Sequence, residues 1–236
     1  RHGLELVSVD RPFAQAMTPG DFVGVSTDIN ETLASFHSEQ DKDTWQSLMR
    51  EFPEKAAVIG GLLGTPMTRT ALLKFVWRQW RSLGLGKMTD IARLLMTSPR
   101  DWLQDTFEDP RLHCAFSTWG LHLDFAPDVA GGAIFPFLEA LGGQAQGMVI
   151  GKGGAATVTN ALVRMIEAHG GSVTCDADVR AISHTHGIVT GLSVNGEDIA
   201  AKTVLAGLAP RHLSTLIGDS GHARFDAGLD AFRHAP

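Results

Sequence analysis

The chain is short of cysteine, of positive charge and of long apolar runs, and each shortage removes a class of function. Cys114 and Cys175 are its two cysteines in 236 residues, and they lie far apart. They make neither a metal-type spacing nor a disulfide framework, so a reducing, cytoplasmic setting is expected. Twenty basic residues stand against 26 acidic ones, a net charge of −6. That balance gives nucleic acid no footing. No apolar stretch is long enough to span a bilayer, and no signal peptide opens the sequence. Internal repeats and low-complexity segments are missing too. What is present is globular: 44% hydrophobic and 19% charged residues, with a mean hydropathy of +0.02. The length suits one large domain or two small ones.

Two regions are expected. Residues 1–147 read as mostly helical after an extended start. Leu4–Val9 and Phe22–Ser26 read as strands, joined by a loop carrying Pro12 and Pro19-Gly20. Asp28 and Ser38 read as N-caps, and Ser38-x-x-Asp41 as a capping-box variant before a helix near 41–58. The next helix, about 68–83, is the most amphipathic. Leu73, Val76, Trp77, Trp80 and Leu83 share one face and Lys74, Arg78 and Arg81 another. The pattern predicts a core-facing helix with a solvated basic face. The same Trp, Lys and Arg chemistry also suits a helix lying on a membrane surface. Ile91–Met96 continues the helical period, and Ser98-Pro99 starts a new helix with Trp102, Leu103 and Phe107 as its apolar face. Between 111 and 142 the residues turn small and apolar, as in Trp119-Gly120 and Ala130-Gly-Gly-Ala133. Such residues either let helices approach closely or leave room for an apolar ligand.

Residues 148–236 change character. A helix near 155–169 carries Val158, Ala161, Leu162, Met165 and Ile166 on one face and ends at Gly170-Gly171. Short strands follow at 172–176, 179–183, 188–194, 199–201 and 203–206. Asn195-Gly196 is a strong type I′ hairpin signal, and His186-Gly187 a second turn. The expected order is a parallel βα unit, a three-stranded antiparallel meander and a buried return strand.

The glycine-rich turn before that helix supports two readings. Gly151-x-Gly153-x-x-Ala156 satisfies a dinucleotide fingerprint, with Asp176 near the end of the next strand. On that reading the chain is a Rossmann NAD-binding protein. However, the strand before the turn supplies only Met148, Val149 and Ile150, and a meander replaces repeated βα units. A Walker A loop is excluded, because Gly153, not Ser or Thr, follows Lys152.

The second reading rests on the order of several motifs. They are Gly153-Gly154, Ala161-Leu162, Gly170-Gly171, Val179-x-x-Ile182, Gly191-x-x-x-x-Gly196-x-x-Ile199-x-Ala201 and Val204-Leu205-x-x-x-Ala209-Pro210. In this order they resemble the phytoene desaturase-like branch of the flavin-dependent amine oxidase superfamily. His2-Gly3-Leu4-Glu5 and the Ser98-Pro99 helix are similar to that family's substrate domain. The resemblance implies mixed α/β architecture with α+β character: a helical substrate region, 1–147, and a partial FAD/NAD(P)-binding-type domain with a β-meander, 148–236. It implies hydride transfer from an apolar or amphipathic substrate to FAD. No G-x-G-x-x-G with an acidic strand end precedes Arg1, so the resemblance also implies the interior of a longer enzyme. The glycine turn then marks re-entry into the flavin domain. Under the same resemblance Val179 contributes main-chain contacts to the flavin's adenine, and Ala206, Gly207, Leu208 and Ala209 lie beside the dinucleotide. An adenine edge offers one donor and one acceptor, which a strand edge can match. In the chain by itself Val179 and Ile182 read as core strand residues.

Other clusters carry less. His184-x-His186 puts two imidazoles on one strand face but lacks further ligands, so no metal is expected. His113-Cys114 is equally unsupported, while Trp119, His122 and Asp124 could line a substrate cavity or serve as caps and satisfied polar groups. No Ser/His/Asp set with a nucleophile elbow occurs. A flavin enzyme does not require one, because the cofactor carries the redox step. The chain alone is expected not to hold FAD or NAD tightly and, with the 148–210 region as interface, to form a homo-oligomer. A peripheral membrane contact is a further expectation. A non-enzymatic apolar-ligand or interaction module is the alternative from another class.

Overall fold

The computed structural model describes residues 2–123 and 125–233, without the side chain of His122. The His122 side chain and Asp124, considered above as cavity residues, therefore lie outside the described residues. The chain divides into two compact units, Gly3–Thr159 and Asn160–Pro236.

The first unit is mostly helical. Strand β1 (Leu6–Val9) pairs antiparallel with β4 (Met148–Gly151), from Leu6↔Gly151 to Val9↔Met148. Strands β2 (Phe13–Ala16) and β3 (Phe22–Val25) form a hairpin. The stretch around Pro12–Gly20 was expected to be loop throughout. Strand β2 occupies part of it because four residues are too few to show a period in sequence, yet enough to pair with β3. Helices α1 (Ile29–Ala34), α2 (Glu39–Leu63), α3 (Arg69–Met96), α4 (Pro99–Thr106), α5 (Pro110–Ser117) and α6 (Ile134–Gln146) follow, with a 3₁₀ turn at Thr118–Leu123. Asp28, Ser38 and Ser98 all cap as their sequence contexts predict. Asp41 does something other than close a capping box. Its buried carboxylate accepts from the N–H groups of Glu108 (2.7 Å) and Asp109 (2.9 Å), tying the start of α2 to the start of α5.

Aromatic rings hold this unit together. Trp45 on α2 stacks on Phe116 at 5.3 Å and meets Phe36 edge-on at 5.4 Å. Its indole N–H donates to Gln144 Oε1 at 3.2 Å, and the Gln144 amide donates onward to the Ser26 carbonyl. Leu103, Leu112, Phe137 and Leu141 complete the buried set. Small residues here serve close approach. A Cβ on Gly132 would sit 2.9 Å from the Pro99 ring, and one on Gly120 2.6 Å from the Phe125 carbonyl oxygen.

Helix α3 corrects the reading of its amphipathic pattern. Leu73, Val76, Trp77 and Trp80, expected to face the core, are exposed, and Leu83 alone of that set is half-buried. The buried residue is Phe75, which joins Val58 and Ile91 in a small cluster with Leu62, Leu83 and Leu95. The helix has two apolar sectors, and α2 covers the one containing Phe75. Periodicity shows that a stripe exists, not which stripe finds a partner. The helix is also longer than expected and is broken at Gly84, whose φ of 81° is not helical.

In the second unit the meander forms as expected. Strands β5 (Val179–Thr185), β6 (Ile188–Val194) and β7 (Glu197–Ala200) lie antiparallel in that order. Both connections are two-residue turns with left-handed backbone: His186-Gly187 (φ 51° and 75°) and Asn195-Gly196 (φ 53° and 88°). Helix α7 (Ala156–Ala168) leads into the meander, and α8 (Pro210–Ile217) and α9 (Ala223–Ala231) follow it. The parallel βα unit does not form. The segments 172–176 and 203–206 are irregular, and β4 pairs antiparallel with β1. A strand needs a ladder partner, and among the described residues neither segment has one. The class is nonetheless mixed α/β, with small antiparallel sheets beside the helices.

Candidate functional site

The residues singled out in the second unit converge on one cleft. Its volume is about 560 Å³. One wall is the start of the meander: Ala177, Asp178, Val179, Ile182 and Leu192. The irregular segment Val204–Leu208 forms the second wall, and His212, Thr215 and Leu216 of α8 form the third. Val179, Ala206, Gly207 and Leu208 thus come together. Ala209 does not line the cleft but is the N-cap residue of α8.

Local sequence explains the walls. The Asn195 side chain locks the entrance to β5: its Oδ1 accepts from the Asp178 N–H at 3.0 Å, and its Nδ2 donates to the Asp176 carbonyl at 3.0 Å. Gly191 allows β7 to lie close, since a Cβ there would collide with the Ile199 carbonyl. Pro210 fixes the first turn of α8, and Ala209 supplies no side-chain cap. His184 of β5 donates through Nε2 to the Ile217 carbonyl at 3.3 Å, pinning the end of α8 to the meander. The cleft is chiefly apolar, with the Asp178 carboxylate and the His212 imidazole as its ionisable groups. Asp178 pairs with Arg180 at 2.9 Å on an exposed surface, a contact worth about 0–1 kcal/mol. Sequence reading missed Asp178, Leu192, His212, Thr215 and Leu216 as lining residues. The sole available signal was the Pro210 helix start, which brings His212 into its first turn.

The glycine turn has different geometry from a phosphate cradle. The strand leading into it, β4, belongs to a two-stranded antiparallel ribbon. A Rossmann turn follows the first strand of a parallel sheet. Here the turn is closed by its own groups: Thr157 Oγ1 donates to the Lys152 carbonyl at 2.9 Å, and Lys152 Nζ pairs with Glu5 at 2.9 Å. The NAD-binding reading of Gly151-x-Gly153 loses its structural context.

None of the remaining candidates lines this cleft. His113 donates to the Phe107 carbonyl at 2.8 Å. Among the described residues no group of three His, Cys, Asp or Glu side chains could hold a metal ion. Trp119 lines a small cavity of about 320 Å³ with Phe13, Phe52 and Leu138; it meets Phe13 edge-on at 4.7 Å, and its buried indole N–H has no partner among the described residues.

A family model described as flavin containing amine oxidoreductase matches residues 11–235. The chain belongs to this family. It shares its fold with a crystal structure of an oxidoreductase from Methanosarcina mazei, at a TM-score of 0.53 and 16% identity. The match covers 98% of this chain and 48% of that one, so the chain spans about half the length of that protein. No curated protein sequence matches it. No described helix is long and apolar enough to cross a membrane.

The cleft fits one end of a flavin dinucleotide. A planar heterocycle suits an apolar slot, and β5 is the outer strand of its sheet, with main-chain groups on the side away from β6. The second unit shows no glycine-rich turn entering a helix from a parallel strand among its described residues, so a pyrophosphate has no such cradle there.

Proposed function

We propose that the chain is part of an FAD-dependent oxidoreductase of phytoene desaturase-like type, acting on an apolar or amphipathic substrate. The observation that carries the reading is the cleft gathering Val179, Ala206, Gly207 and Leu208 beside the outer strand of the meander. Val179 would offer main-chain polar groups to the adenine edge, and Val204, Leu205 and Leu208 would exclude water from its faces. Ala206 and Gly207 are small enough to let a ribose approach the backbone. FAD, when bound, supplies the two-electron acceptor chemistry. The helical unit would form the substrate side, and the family's redox function and the order of the motifs support that division of labour.

The test is a titration of the chain with AMP and with FAD, followed by amide NMR. A few net hydrogen bonds at about 1 kcal/mol each fall short of the roughly 4 kcal/mol that millimolar binding needs. Weak, fast-exchange shifts are therefore expected, confined to residues 177–182 and 204–216. Shifts centred on Gly151–Thr157, or none at saturating AMP, would overturn the assignment.

A further inference from the structure

The charge of the chain is unevenly spread. Residues 55–89 contain Lys55, Arg69, Lys74, Arg78, Arg81 and Lys87 and not one Asp or Glu, within a chain of net charge −6. Lys55 pairs with Glu51 and Lys87 with Glu54. Among the described residues Arg69, Lys74, Arg78 and Arg81 have no acidic partner. The same stretch exposes large apolar side chains: Leu73 is 70% exposed, Trp77 57% and Trp80 50%. Leu63, Met67 and Leu85 around them are also exposed.

Helical spacing sorts these residues into three sectors. Phe75 points to α2. Leu73, Val76, Trp77 and Trp80 fall at i, i+3, i+4 and i+7, one stripe away from that packed face. Lys74, Arg78 and Arg81 flank the stripe. The Arg81 guanidinium lies 5.1 Å from the Trp77 ring centroid and that of Arg78 lies 5.7 Å from Phe75, so the cations border the apolar surface.

We infer that the first half of α3 is a membrane-surface contact for anionic lipid. Tryptophan sits at the boundary of headgroups and hydrocarbon, and Lys and Arg beside it pair with anionic headgroups. Each basic side chain near such a surface strengthens binding by roughly fivefold. The acidic remainder of the chain is repelled, which turns the basic sector toward the lipid. A second copy of this chain fits the stripe poorly. A two-fold contact places the same patch on both sides, and an acid-free patch would set Lys74, Arg78 and Arg81 against their own copies. The inference goes beyond the flavin reading and does not depend on it.

The experiment is co-sedimentation of the chain with phosphatidylcholine vesicles, with and without phosphatidylserine, alongside tryptophan fluorescence. The chain is expected to bind the phosphatidylserine vesicles with a blue shift, and to release as salt is raised. Trp77→Ser with Trp80→Ser should weaken binding at least tenfold. Lys74→Gln with Arg78→Gln and Arg81→Gln should abolish the preference for phosphatidylserine. Circular dichroism melting of both variants should match the parent, since none of the five side chains is buried. Failure to bind phosphatidylserine vesicles would overturn the inference. So would binding that both variants retain, or a dimer in light scattering that Trp77→Ser with Trp80→Ser dissolves, which would give the stripe to a second copy.

Discussion

The two units bury their apolar residues very differently. In the first, Trp45, Phe36, Phe116, Phe137 and Leu141 are almost fully removed from water. In the second, Ala161 and Ile182 are the buried apolar residues among those described, while Ile188, Ile199, Leu205 and Leu208 are exposed. Helix α7 repeats the contrast: Ala161 is buried, but Val158, Leu162, Met165 and Ile166 of its apolar face are exposed. The first unit therefore closes a core from its own side chains. The second is a hydrogen-bonded meander that presents apolar surface outward, and stability should follow burial.

The strongest test removes the centre of the first core. Trp45→Ala deletes the ring stacked on Phe116 and leaves the Gln144 Oε1 without its donor. Truncating a buried tryptophan costs about 3–5 kcal/mol. Urea unfolding should show that loss, and amide exchange should show lowered protection across β3, α4 and α6. Amides of β5–β7 should keep their protection. An equal loss in the meander would mean that the two units unfold as one, and the contrast would fail.

The next test concerns the polar part of the same core. Arg111 donates to Asp109 at 2.7 Å, to Asp21 at 2.7 Å and to the Ser35 carbonyl at 3.3 Å. Burial alone would raise the Asp109 carboxyl, but the hydrogen bonds and charge of Arg111 outweigh it and hold the pKa below its ordinary value. A carboxyl lowered on folding contributes stability that is complete above its unfolded pKa, about 3.9. That stability is lost as pH falls through the folded value. Arg111→Ala should cost about 2–4 kcal/mol at pH 7, because two carboxylates lose their cation in a half-dry site. The gap between parent and variant should narrow as pH drops below about 4. A gap that stays constant with pH would show that Arg111 acts by packing alone.

Local chemistry was the legible part of this chain. The caps at Asp28, Ser38 and Ser98 and the turn at Asn195-Gly196 depend on neighbours two or three residues away, so sequence shows them directly. What failed depends on partners. Strand β2, the irregular state of 172–176 and 203–206, and the outward stripe of α3 are each decided by what lies across from them. Trp45–Gln144 and Asp41–Asp109 join residues far apart in the chain and gave no sequence signal. The order of motifs points to Val179 and 206–209; the cleft gathers Val179 and 206–208 but not Ala209, and adds Asp178 and His212, which no motif marks. Asp178 is held by the Asn195 side chain, and His212 reaches the cleft because α8 packs on β5.

The smallest expected effect sharpens the comparison most. Leu205 is 94% exposed and lines the cleft. A core leucine would cost about 2–5 kcal/mol when truncated. Leu205 has almost no buried surface to lose, so Leu205→Ser should change stability by less than about 0.5 kcal/mol. If the open apolar surface of the second unit serves a ligand rather than a core, the substitution should act there instead. AMP-induced shifts at 177–182 should then weaken, while the thermal midpoint stays at the parent value. A clear drop in that midpoint would show that Leu205 is covered in solution by other parts of the chain or by another copy. In that case the difference between the two units would lie in the partner they need and not in how much they bury.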